Sequence, residues 1–350
     1  RHRRSTRELR LPMIVDEKFA ARTARELVPA ARMPDTAELD ELVTGLKDNA
    51  LTAQELVLDS FLLDPAHADE VRTRLGAGSV LVLDQLGWIK ANAQSLNGMV
   101  DVDSLPAPVG SGSAKAAAVE LAGVLSLLST RVLGQFDPFA VASGRLMFVA
   151  PAVLIAEEAM NVPPRDFRMW VALHEATHQV QFATAPWLRE HMRSLLSQVV
   201  ATPLKAPGIS GLADVLATVG QIVKGDASMV DLIRDEGMRS ALDEATAILS
   251  LLEGHADVVM DEVGIQVIPS VRKLRRRFEA RRDAGQGGFL SNLLGMNVKL
   301  AQYRDGAAFV RAIRREVGQT GFSVIYDGPE NLPKSEEIAT PSLWLDRVHG

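Results

Sequence analysis

The octapeptide Val171-Ala172-Leu173-His174-Glu175-Ala176-Thr177-His178 constrains this chain more than any other segment. Histidines at positions i and i+4 share a face only if the segment is helical. Both imidazoles can then reach one ion at about 2.0–2.1 Å. Glu175 lies about 100° further round the helix, badly placed for a third ligand but able to reach a water on that ion as general base. With 7 His in 350 residues, an H-E-x-x-H arrangement arises by chance about 0.01 times per chain. Phe167, Trp170, Val171, His174, Thr177, His178 and Gln181 form one stripe at helical spacing. The imidazoles therefore lie on the inward face, where two satisfied core histidines are the bland alternative and unpaired ones are costly.

Two histidines leave an ion open to a third protein ligand. The segment Ala241 to Asp261 reads as a helix with the apolar stripe Leu242, Ala245, Leu249, Leu252, Ala256 and Val259. Glu253 borders that stripe, and Asp257 shares its face one turn on, placed to take the outer N–H of a ligand histidine. His255 competes with Glu253 as ligand, but it sits about 200° away round the helix, so both cannot hold one ion undistorted. It remains a minor candidate, as a hydrogen-bond donor or a structural residue. Tyr303 and Tyr326 are the only tyrosines, and so the candidates for a phenolic donor to a transition state.

Composition removes other chemistries. The chain has no cysteine, which excludes disulfide frameworks, Cys-ligated zinc, iron–sulfur clusters and a thiol nucleophile. The net charge of −6 speaks against nucleic acid as a partner. One basic run, Arg272 to Arg282, reads as a solvated helix face. GSGSAK at Gly110 lacks P-loop spacing, and no G-x-S-x-G occurs. The basic start RHRRSTRELR is not followed by an apolar stretch of signal-peptide length, and the most apolar segment, Ala116 to Leu133, contains Glu120 and Arg131. A soluble, cytoplasmic protein without a membrane span is expected.

The expected class is mainly α with a small β-sheet. Residues 16–64, 114–133, 238–263 and 289–317 read as helices, and Pro163-Pro164 opens the motif helix. Arg145 to Ile155 reads as a strand that Pro151 confines to a sheet edge, and GQFDPF (134–139) as a turn about Asp137-Pro138. Loops are expected at 106–118, 202–211 and 283–288, and the tail from Gly328 should lie irregularly over the surface.

HEATHQVQF from His174, WLR at Trp187, LEGHADVVMDEV from Leu252 and the closing ATPSLWLDRV resemble the actinobacterial Zincin_2 group, over about residues 130–350 with GQFDPF and RLMFVAP at the start. Some members of that group are labelled as associated with deazaflavin coenzyme biosynthesis. The wider resemblance is to gluzincin metallopeptidases. It implies that His174 and His178 bind Zn²⁺, that Glu175 is the base, that Glu253 on a following helix is the third ligand and that Asp257 supports a histidine. This chain departs in its spacer, with 74 residues between His178 and Glu253. The resemblance also implies a zincin-like catalytic region at 134–350 behind a mostly helical region at 1–133. The strand at Arg145 would hold an extended substrate by strand addition. The expected activity is zinc-dependent hydrolysis of a peptide or amide bond. The alternative is a catalytically silent zincin-fold binding or scaffold protein, linked to deazaflavin coenzyme metabolism.

Overall fold

Aspartates start the first helices. Asp16, Asp35, Asp64 and Asp84 each hold extended backbone and accept a backbone N–H from the turn that follows. Pro65 and Pro164 occupy first-turn positions, where a missing N–H costs nothing. The computed structural model describes residues 14–30, 34–100, 111–204, 212–224, 236–281 and 301–350.

In chain order the described elements are α1 (Glu17–Ala24), α2 (Thr36–Ser60), α3 (Pro65–Gly76), β1 (Ser79–Leu83), α4 (Gln85–Met99), α5 (Ser111–Leu128), β2 (Gly134–Asp137), β3 (Arg145–Val149), α6 (Ala150–Met160) and α7 (Pro164–Thr184). They continue with α8 (Trp187–Leu204), α9 (Leu212–Lys224), α10 (Glu236–Val267), α11 (Val271–Arg281), α12 (Ala301–Ser323), α13 (Ser335–Ala339) and α14 (Pro341–His349). The fold is mainly α with one small sheet, as expected. The sheet has the order β1-β3-β2, with β1 parallel and β2 antiparallel to β3.

The sheet differs from the expectation in three ways. β3 ends at Val149 and lies in the middle, paired on both edges. Pro151 does not confine it to an edge, because Pro151 already belongs to the first turn of α6. Gly134–Asp137 is strand β2 rather than a turn; the turn comes after it, where Asp137 Oδ1 accepts the N–H of Phe139 at 2.9 Å. β1 had no distinct signal among the helical residues around it. Arg145 locks the sheet to α4 through Asp137 Oδ2 at 2.8 Å and the Ala91 carbonyl at 2.6 Å, all within buried surroundings.

A single cluster of buried apolar side chains runs from Ile14 to Trp344. α7 lies at its centre, packed by α2, α10 and β2. Gln54 Nε2 on α2 donates to Gln179 Oε1 on α7 at 2.7 Å. The long spacer between His178 and Glu253 is occupied in part by α8, which packs on α10, and α9, which packs on α5. By length and composition α5 is the described helix apolar enough to cross a membrane. Its Ala117, Ala118, Leu121, Ala122 and Leu125 are buried, and it packs against α1 and α9 as a core helix does.

Basic residues of α11 dock that helix. Lys273 Nζ donates to the Asn161 carbonyl, Arg277 Nη1 to the Ala159 carbonyl at 3.3 Å, and Arg275 Nη2 to the Asp257 carbonyl at 3.0 Å. The tail is ordered, against expectation. Trp344 is fully buried and donates to the Asn331 carbonyl at 2.8 Å, and Arg347 Nη2 pairs with the buried Glu337 at 2.8 Å. Asn331 and Glu337 supply acceptors that prolines and exposed charges in the sequence do not reveal. The expected loop at 283–288 lies outside the described residues, as do 106–110, 205–211 and, of the expected helix, 289–300. Residues 111–118 belong to α5 and 202–204 to α8, so the loop readings were wrong there.

α10 and α12 touch backbone to backbone. A Cβ on Gly254 would lie 2.1 Å from the Gly306 carbonyl carbon, and one on Gly306 would lie 2.0 Å from the Ser250 oxygen. Neither neighbour is a flexible side chain, so the helices would have to part. Gly254→Ala is therefore expected to destabilise the protein by at least about 1–3 kcal/mol. Gly123→Ala, at an exposed helical site with nothing within 4 Å, should instead stabilise it by about 0.5–1 kcal/mol. Urea unfolding of both variants checks this; equal effects would refute the close crossing.

Candidate metal centre

α7 and α10 face each other where His174, His178 and Glu253 meet. His174 Nε2 and His178 Nε2 are 3.2 Å apart. Glu253 Oε1 lies 3.2 Å from His178 Nε2, and Oε2 lies 3.5 Å from His174 Nε2. One ligand atom from each residue falls within 4.8 Å of the others, and the side chains are 12%, 14% and 18% exposed. Two nitrogens and a carboxylate oxygen form a donor set suited to zinc.

The far sides of the imidazoles are occupied. His174 Nδ1 lies 3.3 Å from Met260 Sδ, and His178 Nδ1 lies 3.0 Å from Gln181 Oε1. Both Nε2 atoms thus turn toward one point. Asp257, expected to orient an imidazole, lies instead against Arg275, its Oδ1 3.6 Å from Nη1. The helical face that it shares with Glu253 was read correctly, but α11 brings a guanidinium to it. Arg275 also covers Trp170 at 5.4 Å from the ring centroid.

Glu175 is buried, at 1% exposure. Its Oε2 accepts the Phe136 N–H of β2 at 3.1 Å, and its Oε1 has no hydrogen-bond partner among the described residues. Gly134 makes the room: a Cβ there would lie 2.6 Å from Glu175 Cγ and 3.0 Å from Oε1. Phe136 and Gly134 escaped the sequence reading. The glycine directly before the Gln-Phe-Asp segment was the available signal, but its meaning depends on α7 passing below.

Burial and the neighbouring charges together set the proton affinities of these groups. Burial raises Glu175 to about 8 against the pull of His178, and lowers His174 to about 4 against the pull of Glu253. Burial also pushes His178 down, but the Glu253 carboxylate overrides it and holds the imidazole up at about 9. Glu253 is correspondingly held low despite its own burial. Carboxylate and imidazolium thus form a pair that a divalent cation on the same atoms would replace. The orphaned Glu175 oxygen, the converging Nε2 atoms and the nitrogen–oxygen donor set all fit such an ion.

His255 lies behind this centre. It is buried, with Nδ1 2.6 Å from the Tyr326 hydroxyl, between Phe61 at 4.9 Å and Phe322 at 4.9 Å. Burial, with Arg314 and His178 adding to it, drives its pKa down to about 3, so the ring is neutral. Tyr326 is held above its ordinary value by burial, and its carbonyl accepts the Trp187 Nε1 proton at 2.8 Å. The side chain of Tyr303 lies outside the described residues.

The Gly134–Glu175 contact makes a direct prediction. Gly134→Ala should destabilise the protein by about 1–3 kcal/mol, because Glu175 must move. In a Glu175→Ala background the same change should cost less than about 0.5 kcal/mol, since the obstacle is gone. A double-mutant cycle by denaturant unfolding reads the difference, and additive effects would remove the contact.

No curated protein matches the chain. A crystal structure described as that of a "putative hydrolase with a novel fold" from Chloroflexus aurantiacus is similar, with 26% sequence identity and a TM-score of 0.65. The similarity covers 96% of this chain and 99% of that one. The family model for Zincin_2, described as zincin-like metallopeptidase, matches residues 15–345, and so takes in the N-terminal helices beyond the span of residues 130–350. With nearly its whole length matched, the chain belongs to the Zincin_2 family of zincin-like metallopeptidases.

Proposed function

We propose that this protein is a zinc-dependent hydrolase of peptide or amide bonds, with His174, His178 and Glu253 holding the ion and Glu175 acting as general base. The observation that carries this reading is Glu175 Oε1, a buried carboxylate oxygen without a partner among the described residues, beside three converging ligand atoms. Leaving such an atom unpaired costs about 1–3 kcal/mol or more, a cost that a catalytic role would justify.

When bound, the ion supplies Lewis acidity and brings the pKa of an attached water to about 7. Phe136 N–H holds Glu175 Oε2 and leaves Oε1 to take the proton. Glu175 then returns that proton to the leaving nitrogen. Burial raises the proton affinity of this carboxylate, the direction a base working near neutral pH needs.

β3 cannot take an added strand, because both its edges are paired. β2 is the strand beside Glu175, and its Phe136 N–H points away from β3 toward that carboxylate. An extended substrate is therefore assigned to the β2 side. Work in the cytoplasm is proposed on the composition alone, and the deazaflavin connection rests on the resemblance alone.

Purified protein should carry about one zinc per chain, and Glu175→Gln should keep it while hydrolysis of a mixed peptide library falls by at least about a hundredfold. Glu253→Ala should lose zinc affinity by more than the roughly 10–100-fold typical of residues one step behind the ligands. Elemental analysis, chelator competition and mass-spectrometric detection of cleavage read these outcomes. A protein that takes up no zinc would end the proposal, and one that binds zinc without cleaving any peptide or amide would favour the scaffold reading.

A further inference from the structure

Gln181 stands one turn beyond His178 on α7 and is fully buried. Its Nε2 donates to the Leu252 carbonyl on α10 at 2.9 Å, and its Oε1 lies 3.0 Å from His178 Nδ1. Leu252 precedes Glu253. The amide therefore joins one candidate ligand to the backbone that carries another.

The chemistry fixes which atom is which. A backbone carbonyl can only accept, so the Gln181 atom against Leu252 must be the nitrogen. Reversing the amide would set two oxygens 2.9 Å apart. With Oε1 thereby turned to His178, the Nδ1 atom facing it must carry a proton. The proton stays on Nδ1 whether or not Nε2 is also protonated, and when only one proton is present the Nε2 lone pair is bare. That lone pair faces His174 Nε2 and Glu253 Oε1, both at 3.2 Å.

The other side of the amide is closed by a second polar layer. His255 Nδ1 lies 3.5 Å from Gln181 Nε2 and 2.6 Å from the Tyr326 hydroxyl. Phe61, Phe322 and the tail turn carrying Tyr326 hold this layer.

We infer that Gln181 is a positioning residue: it selects the imidazole tautomer of His178 that presents Nε2 to the ion, and ties that choice to the register of α10 at Glu253. Its consequence for zinc rests on the function proposed above, whereas the tautomer itself does not. Two measurements separate them. In ¹⁵N–¹H spectra of the wild type, with and without zinc, His178 should show a proton on Nδ1, shifted downfield and slow to exchange. In Gln181→Met, which keeps the bulk without the amide, that proton should move upfield and exchange faster. Zinc affinity by chelator competition should fall about 10–100-fold, as for other partners of ligand histidines.

If the wild type binds no zinc, the proposed function fails and the zinc-free spectrum alone decides on Gln181. If Gln181→Met does not fold, the wild-type spectra decide. A wild-type His178 with a bare Nδ1, or a folded Gln181→Met with zinc affinity within twofold of wild type, overturns the inference.

Discussion

The structure turns on the burial of four ionisable side chains at one crossing of two helices. Glu175 is buried and His174, His178 and Glu253 are largely so, and an isolated buried charge is prohibitively costly. Their surroundings compensate group by group. Glu253 pairs with His178, Phe136 N–H meets one oxygen of Glu175, and Gln181 and Met260 take the outer imidazole nitrogens. One oxygen stays uncompensated, and it belongs to the residue whose reaction would require it. Elsewhere in the core the same cost is met more completely. Arg168 bonds both oxygens of Glu157, and Arg145 bonds Asp137, a carbonyl and a hydroxyl.

Much of the centre was legible in the sequence because its geometry is local. The i, i+4 spacing of His174 and His178 fixes a shared face whatever surrounds the helix. Glu253 could be placed because it borders an apolar stripe, and stripes on helices turn inward. What failed were inferences that needed a partner the local pattern does not show. Asp257 does share a face with Glu253, yet α11, eighteen residues on, claims it with Arg275. His255, a minor candidate because of its distance round the helix, does lie on the far side, but the aromatic cage that holds it there comes from Phe61 after α2, Phe322 of α12 and Tyr326 of the tail. Asp137-Pro138 has turn chemistry, and the turn exists, but it follows a strand too short to show alternation.

The N-terminal helices support the centre from behind. α2 covers one side of α7, reaching it through Gln54, and the residue after α2, Phe61, stacks against His255 and Tyr326. β1 pairs with β3 in register from Ser79↔Arg145 to Leu83↔Val149. The strand that anchors Glu175 therefore belongs to a sheet whose far edge comes from the first hundred residues. No local pattern in residues 1–133 signals this, because pairing across some seventy residues depends on side chains that meet only in the folded chain.

Helices packed by apolar side chains alone can slide by fractions of a turn at little cost, since such contacts are not directional. A buried amide cannot, because it must find a donor and an acceptor at fixed separations. Gln181 places that requirement between α7 and α10, and Gly254 with Gly306 brings α12 against α10 one residue past Glu253. One contact fixes the register of the ligand helices, and the other removes any side chain that could hold them apart. Together they confine Glu253 along the axis of α10 and across it. Its carboxylate thus meets the two Nε2 atoms without needing a bond of its own to any other group among the described residues.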